Sequence, residues 1–156
     1  MIEQRRLFST SAIRLRRPPT KMMLPGLHRV MFLLRLSLAA VFFWFGVLKL
    51  TNVSPVIEML NETMPFLARS PFIEILGLAE MTIGVGLVTD KFSEQAAMLM
   101  IIHLICTLTV VALAPSLVFA PSFPVLTIQG EFLAKNVVLI AAGLVVVTAR
   151  ERGVGR

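Results

Sequence analysis

The stretch from Val30 to Leu50, VMFLLRLSLAAVFFWFGVLKL, constrains this chain more than any other. It is apolar almost throughout its 21 residues. At about 1.5 Å rise per residue, a helix of this length crosses the roughly 30 Å hydrocarbon core of a bilayer. Two of its residues, Arg35 and Lys49, are cations. A spanning helix that keeps two cations either anchors them at its ends or uses them inside a helix bundle. Composition points the same way: 56% of the 156 residues are hydrophobic and 15% are charged. A soluble fold this small could not bury so much apolar surface, whereas a bilayer covers it.

Arg35 and Lys49 are 14 positions apart. At about 100° per residue that is close to four whole turns, so both fall on one face, roughly 21 Å apart. Ala39, Phe42 and Gly46 share the stripe. The face therefore carries a cation toward each membrane surface and a small residue that lets a neighbour approach. The alternative is that both cations merely snorkel to the surfaces.

The pattern predicts an all-α membrane protein, a bundle of four spans. Helix 1 is expected over about 27–50 and a second span from the Ser70-Pro71 cap to about Val88. A third is expected over about 94–113, stopped by Pro115, and a fourth over about 131–149. Between the first two, Ser54 followed by Pro55 announces a short interfacial helix, with Val56, Met59, Leu60 and Met64 on one side. Residues 115–130, PSLVFAPSFPVLTIQG, hold three prolines and one acid-free, base-free run. They read as a non-helical connection that must fold onto the bundle or line a cavity.

Charge sets the expected orientation. Seven of the fifteen Lys and Arg lie within the first 29 residues: Arg5, Arg6, Arg14, Arg16, Arg17, Lys21 and Arg29. Lys91 lies in the turn between spans two and three, and Arg150, Arg152 and Arg156 close the chain, while the two long loops hold only Arg69. The positive-inside rule then places both termini in the cytoplasm or the mitochondrial matrix. The domain reading is a basic tail or transit peptide over 1–29, a membrane domain over 30–149 and a basic tail over 150–156.

The first 29 residues are Arg-rich, contain Ser and Thr and have one acid, Glu3. That is the composition of a mitochondrial transit peptide, and Arg6-Leu7-Phe8-Ser9 resembles a matrix-protease site. A bacterial cytoplasmic tail explains the same charges, so a mitochondrial and a bacterial inner membrane stand as equal expectations. Nucleic-acid binding is not expected, because the basic run has no aromatics beyond Phe8 and no folded basic domain. The sequons at Asn52 and Asn61 read as chance matches.

Several chemistries are excluded. One cysteine, Cys106, allows neither a disulfide nor a redox pair within the chain. No metal-ligand cluster, phosphate loop or nucleophile–base pair is visible, and a bis-histidine haem lacks a second intramembrane histidine beside His103. The catalytic residues, if any, are unassigned. What stands out is polar groups at membrane depth. Glu80 lies well inside the second span, flanked by Gly77 and Gly84, where a charge costs roughly 2.5–3.5 kcal/mol on insertion scales. Its candidate partners are Arg35, Lys49 and Lys135, which with it form an expected intramembrane polar network. His103, Glu131 and Asn136 are candidates for a ligand or proton site. His103 could carry protons or meet a quinone carbonyl, or simply bond a neighbouring backbone or hydroxyl group. Glu131 and Lys135, one turn apart, suggest a polar mouth with Asn136.

Four pieces, in order, resemble the YkgB/DoxX-like family of small membrane proteins. They are Arg35 with WFGVLKLT (Trp44–Thr51), SPF (Ser70–Phe72), GLAEMTIGVGL around Glu80, and FPVL with QGEFLAKNVVL (Phe123–Leu139). YkgB-like sequences typically carry arginine where Glu131 stands and aspartate where Asn136 stands. The resemblance implies a four-helix membrane bundle linked to oxidative or reactive-chlorine stress. Some relatives are subunits of membrane oxidoreductases that work with quinones. Quinone is thus the candidate cofactor, and the expected partners are the lipid bilayer with other membrane subunits or further copies of the chain. Three roles are carried forward: a redox-supporting subunit, a structural or assembly subunit of a larger membrane complex, and a small transporter.

Overall fold

The computed structural model describes residues 26–151. Most of the basic N-terminal segment, and with it the transit-peptide expectation, lies outside the described residues, as do Arg152 and Arg156. The described chain is helical: α1 (Leu27–Leu50), α2 (Pro55–Thr63), α3 (Phe72–Val88), α4 (Ser93–Leu108), α5 (Val110–Leu113), α6 (Pro115–Val118) and α7 (Ile128–Glu151). Three segments are long and apolar enough to cross a membrane: Leu27–Leu50, Ser93–Leu113 and Ile128–Ala149. The helix α3, at 17 residues, rises about 25 Å, a little short of a full crossing.

The face predicted for α1 is the one it buries. Met31, Arg35, Leu38, Ala39, Phe42, Gly46 and Lys49 are buried. Phe32, Leu33, Leu36, Phe43 and Trp44 are exposed on the other side, as suits a helix bathed in lipid. The matching stripe on α3 is Ile73, Gly77, Glu80, Gly84 and Leu87, at alternating spacings of four and three. The two helices run antiparallel and make the most extensive packing in the fold, while α4 packs mainly on α7.

Toward the Lys49 end of the α1–α3 seam the backbones touch. A Cβ on Gly46 would collide with the carbonyl of Gly77 and come within 2.9 Å of the Met81 nitrogen. A Cβ on Gly77 would lie 2.9 Å from the Gly46 carbonyl oxygen and 3.0 Å from Lys49 Cβ. Glycine is the residue that permits this approach.

The core has two parts. Around the α3–α4 turn, Leu38, Ala39, Phe42, Ile83, Leu87, Ala96, Ala97, Met100 and Val146 form an apolar cluster. At the opposite end, Met59 of α2 joins Val110, Val118 and Leu133. That contact seats α2 over the end of the bundle. Ser54 caps α2 as its sequence announces, its hydroxyl accepting from the Val56 amide at 3.4 Å.

Two expectations need correction. Ser70 does not cap α3: Pro71 occupies that position, and the Ser70 hydroxyl instead donates to Glu74 Oε1 at 2.8 Å. The 115–130 connection is not free of helix. Pro115 opens the one-turn α6, proline being suited to a first helical position. Farther on, Thr127 caps α7 three residues earlier than expected, accepting the Gly130 amide at 3.0 Å. The third span runs over Ser93–Leu113 as expected, with its helical hydrogen bonding interrupted at Thr109 between α4 and α5. The hydroxyls of Thr107 and Thr109 donate back to the carbonyls of Leu104 and Cys106. Such bonds compete with the helix ladder and bend it.

Candidate functional site

Arg35 closes one end of the α1–α3 seam. Its Nε donates to the Leu87 carbonyl at 2.7 Å and its Nη2 to the Val88 carbonyl at 2.9 Å. Its Nη1 meets Asp90 Oδ1 at 2.8 Å. Leu87 and Val88 are the last residues of α3, whose carbonyls have no partner within the helix. A guanidinium there satisfies those acceptors and sits at the negative end of the helix dipole. Arg35 therefore does not reach Glu80. The sequence reading overlooked its partners because they are backbone carbonyls and a turn aspartate, 52 to 55 residues away.

Lys49 closes the other end. Its Nζ donates to Glu80 Oε2 at 2.6 Å, with both side chains almost wholly buried. Helix geometry explains how a cation from the last turn of α1 meets an acid in the middle of α3. Side chains on a helix lean toward its N-terminus, so Lys49 leans down into the bundle. In antiparallel α3 the same lean carries Glu80 up toward Lys49, and Gly77 leaves room for the lysine stem.

The second carboxylate oxygen is met by a residue that was not on the list of cations. His103 Nε2, from α4, lies 2.9 Å from Glu80 Oε1. Its ring stands edge-on to Phe42, centroids 6.0 Å apart. The stripe Ala96, Ala97, Met100 and Leu104, all buried, runs beside His103 along the inner side of α4. That periodicity was the available signal that His103 faces inward. One turn on, Thr107 Oγ1 accepts from Asn136 Nδ2 of α7 at 2.9 Å.

These groups border a cavity of about 30 Å³, walled by Phe42, Phe45, Val56, Leu76, Phe132 and Leu139. Phe45 and Phe132 face each other across α1 and α7, centroids 5.5 Å apart. The structure thus brings Lys49, Glu80, His103 and Asn136 to one place. It leaves Arg35 at the far end of the seam, and Lys135 and Glu131 exposed on α7, away from Glu80. Among the described residues no group of His, Cys, Asp and Glu is placed to hold a metal ion, and Cys106 is exposed.

A lysine, a glutamate and a histidine brought together in a buried site form a unit of uncommon cost. Each ionised group is expensive there, and pairing offsets the expense only with good geometry. Chemically the unit can exchange a proton between imidazole and carboxylate. It can also present ammonium and amide donors to a small polar ligand within aromatic walls.

A family model described as DoxX matches residues 30–113, more than half of the chain. The chain belongs to the DoxX family, and with its apolar spans it is an integral membrane protein. No curated protein and no solved structure matches it.

Proposed function

We propose that this DoxX-family chain is a four-span membrane subunit that supports redox or oxidative-stress chemistry without performing catalysis itself, and that Lys49, Glu80 and His103 are its working groups. One observation carries the reading: three ionisable side chains from three helices converge beside a small, largely apolar cavity. The Lys49–Glu80 pair ties α1 to α3, and His103 brings α4 to the same carboxylate as a group that can exchange a proton with it.

Treating α3 as the fourth crossing is favoured by its antiparallel packing against α1 and by Arg35, which ties its last carbonyls to the start of that helix. Both termini then lie on one side, and the excess of Lys and Arg there favours the cytoplasm or matrix. Kinship to the YkgB-like branch rests on the quoted motifs around Trp44, Ser70, Glu80 and Phe123. A quinone is the candidate cofactor. Its headgroup would take donors from Lys49 and Asn136 between Phe45 and Phe132. A cavity of about 30 Å³ admits water rather than a ring, so docking requires α2 or Phe132 to shift.

The test is Glu80→Gln in the native host, with oxidant resistance and protein abundance read together. Loss of resistance at near-normal abundance supports the proposal. Reduced abundance with resistance in proportion assigns Glu80 to structure alone.

A second reading, an assembly subunit of a larger membrane complex, is favoured by the Gly46–Gly77 seam, which shows a chain built for close helix packing. Gentle detergent extraction and native gels separate the two, since a lone band at 17.2 kDa rejects it.

A further inference from the structure

Lys49 Nζ has three N–H groups and spends one on Glu80. Asn136 is almost fully buried and spends one amide hydrogen on Thr107, while its Oδ1 accepts no bond from a described residue. Both groups border the same cavity, beside His103 and Thr107. Its volume of about 30 Å³ exceeds the roughly 10–15 Å³ that one water needs, and the polar partners a water requires are present.

The position of the cavity in the bundle is one-sided. Its lining comes from the later halves of α1 and α4 and the earlier halves of α3 and α7, with Val56 of α2 at its edge. All of these lie toward the 51–71 and 114–127 connections. Toward the other end, the path from Glu80 meets Ala39, Ile83, Leu87, Ala97, Met100 and Val146, buried and apolar. Among the described residues, buried polar side chains resume at Arg35 and Ser93, beside Asp90.

We propose that this cavity is a hydrated proton-access site, which joins Glu80 and His103 to the aqueous phase on the α2 side and leaves them sealed from the opposite side. Water bridging Lys49 Nζ and Asn136 Oδ1 completes a hydrogen-bonded chain from the Glu80 cluster to the Asn136–Thr107 pair. A hydronium arriving on that chain leaves its proton on the Glu80–His103 pair and remains as water. Beside the pair stand Lys49 from α1, Thr107 from α4 and Asn136 from α7, with Phe42 of α1 against the His103 ring. Lys49 alone among them carries an ionisable group. The proposal is independent of the redox role, because one-sided access can be measured whatever the cluster serves.

Access is read by cysteine substitution in a Cys106→Ala background, in sealed vesicles of known orientation, with a charged membrane-impermeant thiol reagent. Thr107→Cys is expected to react from the α2 side at least about tenfold faster than Ala97→Cys from either side, since thiolate chemistry needs water. Equal rates, or reaction of Thr107→Cys from the terminal side, overturn one-sided access. Phe132→Cys is the second probe of the same cavity should Thr107→Cys not fold. Proton exchange is read separately. With His28→Ala, His103 is the chain's single imidazole, and its ¹⁵N signal is expected to respond to bulk pH and to change in Glu80→Gln. A signal indifferent to both overturns the proton-site assignment.

Discussion

Lys49→Met removes the ammonium and keeps most of the stem's volume, so packing against Gly77 survives while Glu80 loses its shortest contact. The two side chains retain 3% and 4% of their surface, so water reaches the orphaned carboxylate only through the small cavity beside it and replaces little of the lost partner. Breaking a buried pair from one side costs about 3–5 kcal/mol, because a charge is left without compensation. His103, at 2.9 Å from the other carboxylate oxygen, offsets part of that loss when protonated. The expected cost is therefore at the lower end, about 3 kcal/mol, or roughly two decades in the unfolding constant. Adding Glu80→Gln removes the orphaned charge, and the double variant should recover about 2 kcal/mol of it. The assay is reversible unfolding in mixed micelles by a denaturing detergent, followed through Trp44, the only tryptophan. A Lys49→Met variant within about 0.5 kcal/mol of wild type would refute the pairing. So would a double variant whose cost equals the sum of the two single ones.

Arg35→Met deprives the last turn of α3 of its side-chain cap and should cost about 2–3 kcal/mol, with faster amide exchange confined to roughly 85–90; Arg35→Lys should recover only part, since an ammonium lacks the guanidinium fork. Gly77→Leu forces α1 and α3 apart and should cost about 1–3 kcal/mol or abolish folding, whereas unchanged stability would mean that the seam is looser than the carbonyl contacts imply. The mature N-terminus, read by sequencing the purified protein, should begin at Ser9 or shortly after if the chain resides in a mitochondrion, and at Met1 if in a bacterial membrane.

The inward face of α1 was legible because helical periodicity needs only spacing: Arg35, Ala39, Phe42, Gly46 and Lys49 alternate by four and three, and all five are buried. Glu80 was legible as a residue needing a partner, because an acid at membrane depth is costly wherever it occurs. Which cation met it was not legible. That depends on the antiparallel register of α1 on α3, set by backbone contact at Gly46 and Gly77 and not by charge. The same register sent Arg35 to the end of α3, to acceptors that carry no side-chain signature. The helical turns within 115–130 were missed for another reason. Proline read as a helix breaker there, yet at Pro115 it opens a turn, and Thr127 supplies a cap that the apolar surroundings disguised.

The two polar ties between α1 and α3 also bear on how the protein is made. As α1 enters the bilayer it carries Arg35 and Lys49, and the groups that neutralise them, from Glu80 to Asp90, follow later in the chain. Alone in lipid, each cation would cost roughly 2.5–3.5 kcal/mol at mid-depth, less near the surfaces. The two helices are thus best inserted together, as a hairpin whose polar ties form before either cation meets lipid alone.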